Sequence, residues 1–167
     1  MKKVSDIHAI KIIFFITACY VGLWAIRIPT IKDQLQTDYV GVGYIMLSFA
    51  IGSIVAMIFA NALILKTSTK SILTCTLIAE GCLWLPVPFI QELWLFMAFS
   101  FIFGMSYGAF EIACNVYASN LEVREKKSMM SGFHAFWSLG VLFGSLITSF
   151  LLEWNYSFIF NILLYVI

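Results

Sequence analysis

Residues 93–121 read LWLFMAFSFIFGMSYGAFEIACNVYASNL, and Glu111 is the only charged residue among them. A helix of about 20 mostly apolar residues crosses the roughly 30 Å core of a bilayer. This run is long enough, and it decides the fold class. Its single carboxylate is the anomaly. A charge at the centre of a spanning helix costs about 2.5–3.5 kcal/mol on insertion scales, so such residues usually line a pathway or a proton relay. Asn115 follows one helical turn later, on the same face.

The rest of the chain has the same character. Hydrophobic residues make up 62% and charged residues 11%, against about 25% charged in an ordinary soluble domain. The mean hydropathy is +0.95. These values specify an all-α integral membrane protein. Long apolar runs without strand alternation exclude a closed barrel. A net charge of +1 gives no footprint for nucleic acid. Cys19, Cys75, Cys82 and Cys114 lie inside apolar runs without metal-ligand spacing. They read as small, buried, reduced packing residues.

Five complete spans are expected at about 10–28, 41–65, 71–89, 93–118 and 131–152, with a sixth at 156–167. The first should stop before Pro29, and the third at the Pro86 and Pro88 kinks. The twelve residues 156–167 would cover only about 18 Å as helix. The sixth span is therefore short or truncated. Met1-Lys2-Lys3 precedes an apolar run with no small-residue cleavage site, which reads as a retained span rather than a signal peptide.

Charge placement sets the expected orientation. With the N-terminus inside, inner segments hold Lys2, Lys3, Lys11, Lys66, Lys70, Arg124, Lys126 and Lys127; outer segments hold only Arg27 and Lys32. That is a positive-inside bias, which makes the N-terminus cytoplasmic. The segment Ser119–Met130 is expected to be a charged loop, either a gating contact or a solvated, orientation-setting stretch.

Small residues recur every fourth position: Ser48, Gly52, Ala56 and Ala60 in span two, Gly104 and Gly108 in span four, Gly140 and Gly144 in span five. Such spacing lets helices approach closely. At 100° per residue, Gly104, Gly108, Glu111 and Asn115 fall within about 60° of one another. The carboxylate thus shares a face with the small residues and should point into the bundle.

Three stretches resemble the N-terminal half of the major facilitator superfamily, and most of all its bacterial branch near the fucose permeases. They are Gly22-Leu-Trp-Ala-Ile-Arg27-Ile-Pro29-Thr-Ile-Lys32, Gly108-Ala-Phe-Glu111-Ile-Ala-Cys-Asn115, and Met130-Ser-Gly-Phe-His134-Ala-Phe-Trp137-Ser-Leu-Gly140. The resemblance covers essentially the whole chain. It implies a six-helix half of a two-half transporter, with the second half absent and the solute site near the midplane between halves. It also implies that Glu111 and Asn115 match a Glu and an Asn of the family's sugar and proton site. Two departures stand out. The family's loop signature after span two falls on Asn61–Lys70, where Leu65 occupies the acidic position. The acidic residue expected in span one is replaced by a set of Thr17, Tyr20 and Trp24.

The candidate pathway residues are Glu111, Asn115, His134, Trp137, Trp24, Arg27 and Glu80, each with a structural alternative. Glu111 binds a proton or hydrogen-bonds Asn115 or His134. Asn115 contacts solute or joins helices. His134 relays protons or caps span five. Glu80 is functional or pairs across helices. Arg27 serves the outer mouth or snorkels. Trp24 and Trp137 stack on a sugar or pack as aromatics.

The expected function is proton-coupled uptake or efflux (symport for uptake) of a small polar solute such as a sugar, in the bacterial inner membrane. The partners are the lipid bilayer, the solute, protons and a second six-helix half. The other reading is a non-transporting membrane remnant or interaction subunit. No nucleophile–base pair or metal cluster argues for an enzyme or a cofactor, and no filter-like segment argues for a channel.

Overall fold

Among the described residues six α-helices follow one another: α1 (Lys2–Gln34), α2 (Tyr39–Lys66), α3 (Thr69–Trp84), α4 (Leu93–Glu125), α5 (Met130–Glu153) and α6 (Phe158–Val166), with a single 3₁₀ turn at Val87–Phe89. The computed structural model describes residues 2–166, apart from the side chains of residues 2–5, 61, 63, 65 and 166. The readings placed on Met1, on the Lys2 and Lys3 charges, on the Asn61 and Leu65 positions and on the Ile167 end of span six lie outside the described residues. Among the described residues five helices are long and apolar enough to cross a membrane, and α6 is short. The fold is all-α, as composition requires.

Helices α1 and α4 run past their expected ends. Span one does not stop before Pro29: α1 continues unbroken to Gln34 with the proline inside it. A proline removes one hydrogen bond, and spanning helices tolerate that where neighbouring helices and local adjustment satisfy the freed carbonyl. Nor does span four stop at Ala118. Its helix runs to Glu125, because Ala118 and Leu121, three residues apart, are both fully buried and keep this last stretch docked. The expected loop Ser119–Met130 shrinks to residues 126–129.

Helix ends are set by side-chain caps and left-handed residues. Gln36, Lys126 and Asn155 have φ of 47°, 52° and 57°. Each is followed by an amide that bonds a carbonyl five residues back: Thr37 to Lys32, Lys127 to Glu122, and Tyr156 to Leu151. These are Schellman ends. Asp38 accepts from the Gly41 amide at 2.9 Å, Ser68 from Ser71 at 3.1 Å and Ser157 from Phe160 at 3.2 Å, satisfying first-turn donors of α2, α3 and α6. α5 has no cap of its own, since Met129 sits at that position. Glu122 of α4 supplies it, accepting from the Met129 and Met130 amides. Glu122→Ala should therefore fray the first turn of α5. Faster hydrogen exchange at Met129 and Met130 is the expected readout, and unchanged exchange there would refute the cap.

The helices pack as two units. The first takes α1 up to Arg27, α4 from Val116, and α5 and α6. In it, Gly140 and Gly144 of α5 meet the backbone of α1 at Phe15 and Cys19. Tyr165 of α6 donates to the Gly144 carbonyl at 2.9 Å, and Tyr20 of α1 donates to the Tyr165 carbonyl at 2.9 Å. Phe14 stacks on the fully buried Phe133, with ring centroids 5.9 Å apart. At the Arg124 end, that guanidinium joins Asp6 at 3.0 Å and Glu125 at 3.1 Å.

The second unit takes the end of α1 from Ile28, then α2, α3 and α4 to Asn115. Gly52 of α2 packs on the Phe101 backbone of α4, and Gly104 and Gly108 of α4 pack on Phe49 and Ser53 of α2. Ser48 donates to the Met97 carbonyl at 2.7 Å. Gln34 donates to the Val87 and Ile90 carbonyls at 2.9 and 2.6 Å, tying α1 to the proline-rich turn after α3. Ser48 and the glycines singled out in the sequence are thus helix contacts, and Ala56 and Ala60 are buried. Cys19 and Cys114 are buried, but Cys75 and Cys82 are exposed on α3. Lipid solvates the outer face of a span, so an apolar residue there needs no protein cover.

Candidate functional site

In the second unit the chemistry collects between α3 and α4. The α4 helix presents Gly104 and Gly108 to α2. A little over a quarter of a turn round from this stripe it presents Phe103 and Tyr107, as 100° per residue dictates. Phe103 meets Trp84 of α3 edge-on at 5.5 Å, and Tyr107 meets Phe49 of α2 at 5.5 Å. Glu111 comes one turn after Tyr107, and Cys114 nearly one turn after that.

Glu80 enters from α3. It is 2% exposed, and its Oε1 makes no hydrogen bond. On α4, Tyr107 is half-buried and Cys114 is buried. The second unit thus holds two carboxylates, Glu80 on α3 and Glu111 on α4. Glu111 and Asn115 are both half-buried. Sequence analysis did not single out Tyr107 or Cys114. The signal was their spacing of four and three residues from Glu111, which puts them on one stripe.

In the first unit a second polar cluster forms about Arg27. The guanidinium is 2% exposed. Its Nε donates to Asn161 Oδ1 at 3.0 Å, its second terminal nitrogen donates to the Tyr156 carbonyl at 3.4 Å, and the group lies 5.1 Å from the centre of the Phe158 ring. Arg27 is therefore interior and does not snorkel: three partners from the α5–α6 turn and α6 compensate the burial. Asn161, fully buried, was not foreseen. The polar residue inside the apolar run 158–164 was its only trace.

The other candidates have looser settings. His134 is exposed, and its ring stands edge-on to Phe14 at 5.5 Å. It does not cap α5, since Glu122 does. Trp137 and Trp24 are half-buried. The structure thus places Glu80 and Glu111 in one unit, joins Arg27 to α6, and leaves Trp24, His134 and Trp137 as members of the first unit's helices. Among the described residues no group of His, Cys, Asp and Glu is placed to hold a metal ion.

Residues 12–167 match the family model described as Major Facilitator Superfamily. An uncharacterized MFS-type transporter of Yersinia pestis is 29% identical over 145 residues, which cover 85% of this chain and 37% of that relative. An uncharacterized transporter of Sinorhizobium fredii is 25% identical over 141 residues, covering 79% of this chain and 35% of the relative. The chain thus spans little more than a third of the length of the curated relatives it matches. No solved structure matches it.

Proposed function

Since the chain belongs to the major facilitator superfamily, we propose that it is the N-terminal half of a proton-coupled secondary transporter for a small polar solute such as a sugar. It would sit in the bacterial inner membrane with its N-terminus cytoplasmic, as the distribution of lysine and arginine favours. Glu111 carries the reading. It is half-buried on the α4 stripe whose glycines bind α2, in an otherwise uncharged run, and such carboxylates mark proton and solute pathways. In this reading Glu111 takes and releases the coupling proton. Asn115, His134 and Trp137 contact the solute, with Trp24 and Arg27 further along the pathway. A second half supplies the opposite wall, and the two halves rock about the site. The solute class follows the resemblance to fucose permeases.

The test is uptake by a full-length relative carrying Glu111→Gln at the matching position. Gln keeps the shape and loses the exchangeable proton. Accumulation against a gradient should be abolished while solute exchange at equal concentrations persists. Accumulation equal to the unsubstituted protein would end the proton role of Glu111.

A further inference from the structure

Among the described residues Arg27 is the only charged side chain buried in the first unit. Its partners are two neutral carbonyl oxygens and a ring, which solvate the guanidinium and leave its charge unneutralised. The acidic residues of the unit are placed otherwise: Asp6 and Glu125 hold Arg124, Glu122 caps α5, and Glu153 is exposed. The partners also belong to the turn before α6 and to its first helical turn, the positive end of the helix dipole. A buried charge is costly unless it is paired. What the two side chains still lack is acceptors. Asn161 spends its oxygen on Arg27, and its amide nitrogen is fully buried without a partner. Turning the amide over would set two donors against each other. Of the guanidinium nitrogens, Nε and one terminal nitrogen are engaged, and the other finds no acceptor among the described residues. The adjoining residues 152–157 are all exposed, so the cluster borders the molecular surface.

We propose that Arg27 and Asn161 form a binding site for an oxyanion, and that the transported solute is an acidic one, a small carboxylate such as a sugar acid rather than a neutral sugar. A carboxylate brings the missing negative charge and the missing acceptors at once, and its two oxygens match the planar fork of an arginine. A neutral sugar would bring acceptors and leave the buried charge as it stands. The site lies wholly within the first unit, on α1, the α5–α6 turn and α6. The inference deepens the transport reading and rests on it for the ligand's role as solute; the anion site itself does not depend on transport.

Thermal unfolding of the 167-residue chain in phosphatidylcholine nanodiscs, followed by circular dichroism, tests it with sodium gluconate against glucose, ionic strength being matched with sodium chloride. Gluconate should raise the midpoint saturably, as a ligand of the folded state does, and glucose should not. Asn161→Asp is the decisive variant. It keeps the side-chain shape and sets a carboxylate beside the guanidinium. Without gluconate its midpoint should exceed that of the unsubstituted chain, and its gluconate affinity should be weaker by about tenfold or more, since the charge is already paired. No response to gluconate, an equal response to glucose, an undiminished response in Asn161→Asp, or failure of that variant to fold each overturns the proposal. Discs of anionic phosphatidylglycerol supply the lipid arm. A midpoint raised there, with no further response to gluconate, means that a headgroup phosphate fills the site and overturns the assignment to solute. The two readings fail separately. Normal accumulation by a full-length relative carrying Glu111→Gln would refute proton coupling and leave the anion site standing. Absence of a gluconate response would remove the anion site and leave coupling untouched.

Discussion

Arg27→Ala should destabilise the first unit by about 3 kcal/mol, the scale of breaking charged hydrogen bonds in a buried setting. The substitution removes the donor to Asn161 Oδ1 and the donor to the Tyr156 carbonyl, together with the contact on Phe158. Asn161 is fully buried, so its carbonyl oxygen would be left without a donor and without water. Its amide nitrogen already has no partner, so the whole side chain would become a liability inside α6. Arg27→Lys should recover little. A lysine offers one compact ammonium, which cannot serve Asn161, Tyr156 and the ring at once as a planar guanidinium does. Unfolding in mixed micelles, followed by circular dichroism, measures both variants. Stabilities equal to that of the unsubstituted protein would show that Arg27 does not clamp α6 to α1.

Gly104→Leu should cost the second unit about 3 kcal/mol or more, by overpacking a helix contact. Even a Cβ at this position would overlap the Phe49 carbonyl of α2, and the obstacle is backbone, which cannot swing aside. The same holds for Gly52 against Phe101, so α2 and α4 must separate along their length to admit a side chain at either position. Gly104→Ala should show a smaller loss of the same origin. Gly43→Leu is the control. Gly43 is exposed on α2 with nothing within 4 Å of an added Cβ, so the change should stay within roughly 0.5 kcal/mol. The same unfolding assay compares them, and equal losses at positions 43 and 104 would refute the close approach.

The helices themselves were legible because a spanning segment must satisfy its backbone internally. Twenty apolar residues in a row leave few other outcomes, so five spans could be read from composition alone. The glycine pairs were legible for a related reason, since small residues at four-residue spacing have few uses except close packing. Pro29 misled because proline's cost is local while its tolerance is tertiary. Residues 119–125 misled because their charges suggested a loop, whereas Ala118 and Leu121 keep that stretch helical by burial.

The polar partners were a different matter. Arg27 and Asn161 are 134 residues apart, and each alone looks like a residue at the margin of a span. Glu80 belongs to a helix whose other face carries exposed residues, and nothing local says that its carboxylate is the one buried.

By itself the sequence determined the membrane-spanning α-helical class, the approximate spans, the glycine contacts and Glu111 as the costly residue. Tertiary structure alone decided that Arg27 is interior, that Glu122 caps the next helix, and that Glu80 is buried. The reason is the solvent. Lipid dictates hydrophobicity along each helix, which is a local property written residue by residue. It favours no particular neighbour or rotation, so which polar groups meet is fixed only by packing between helices.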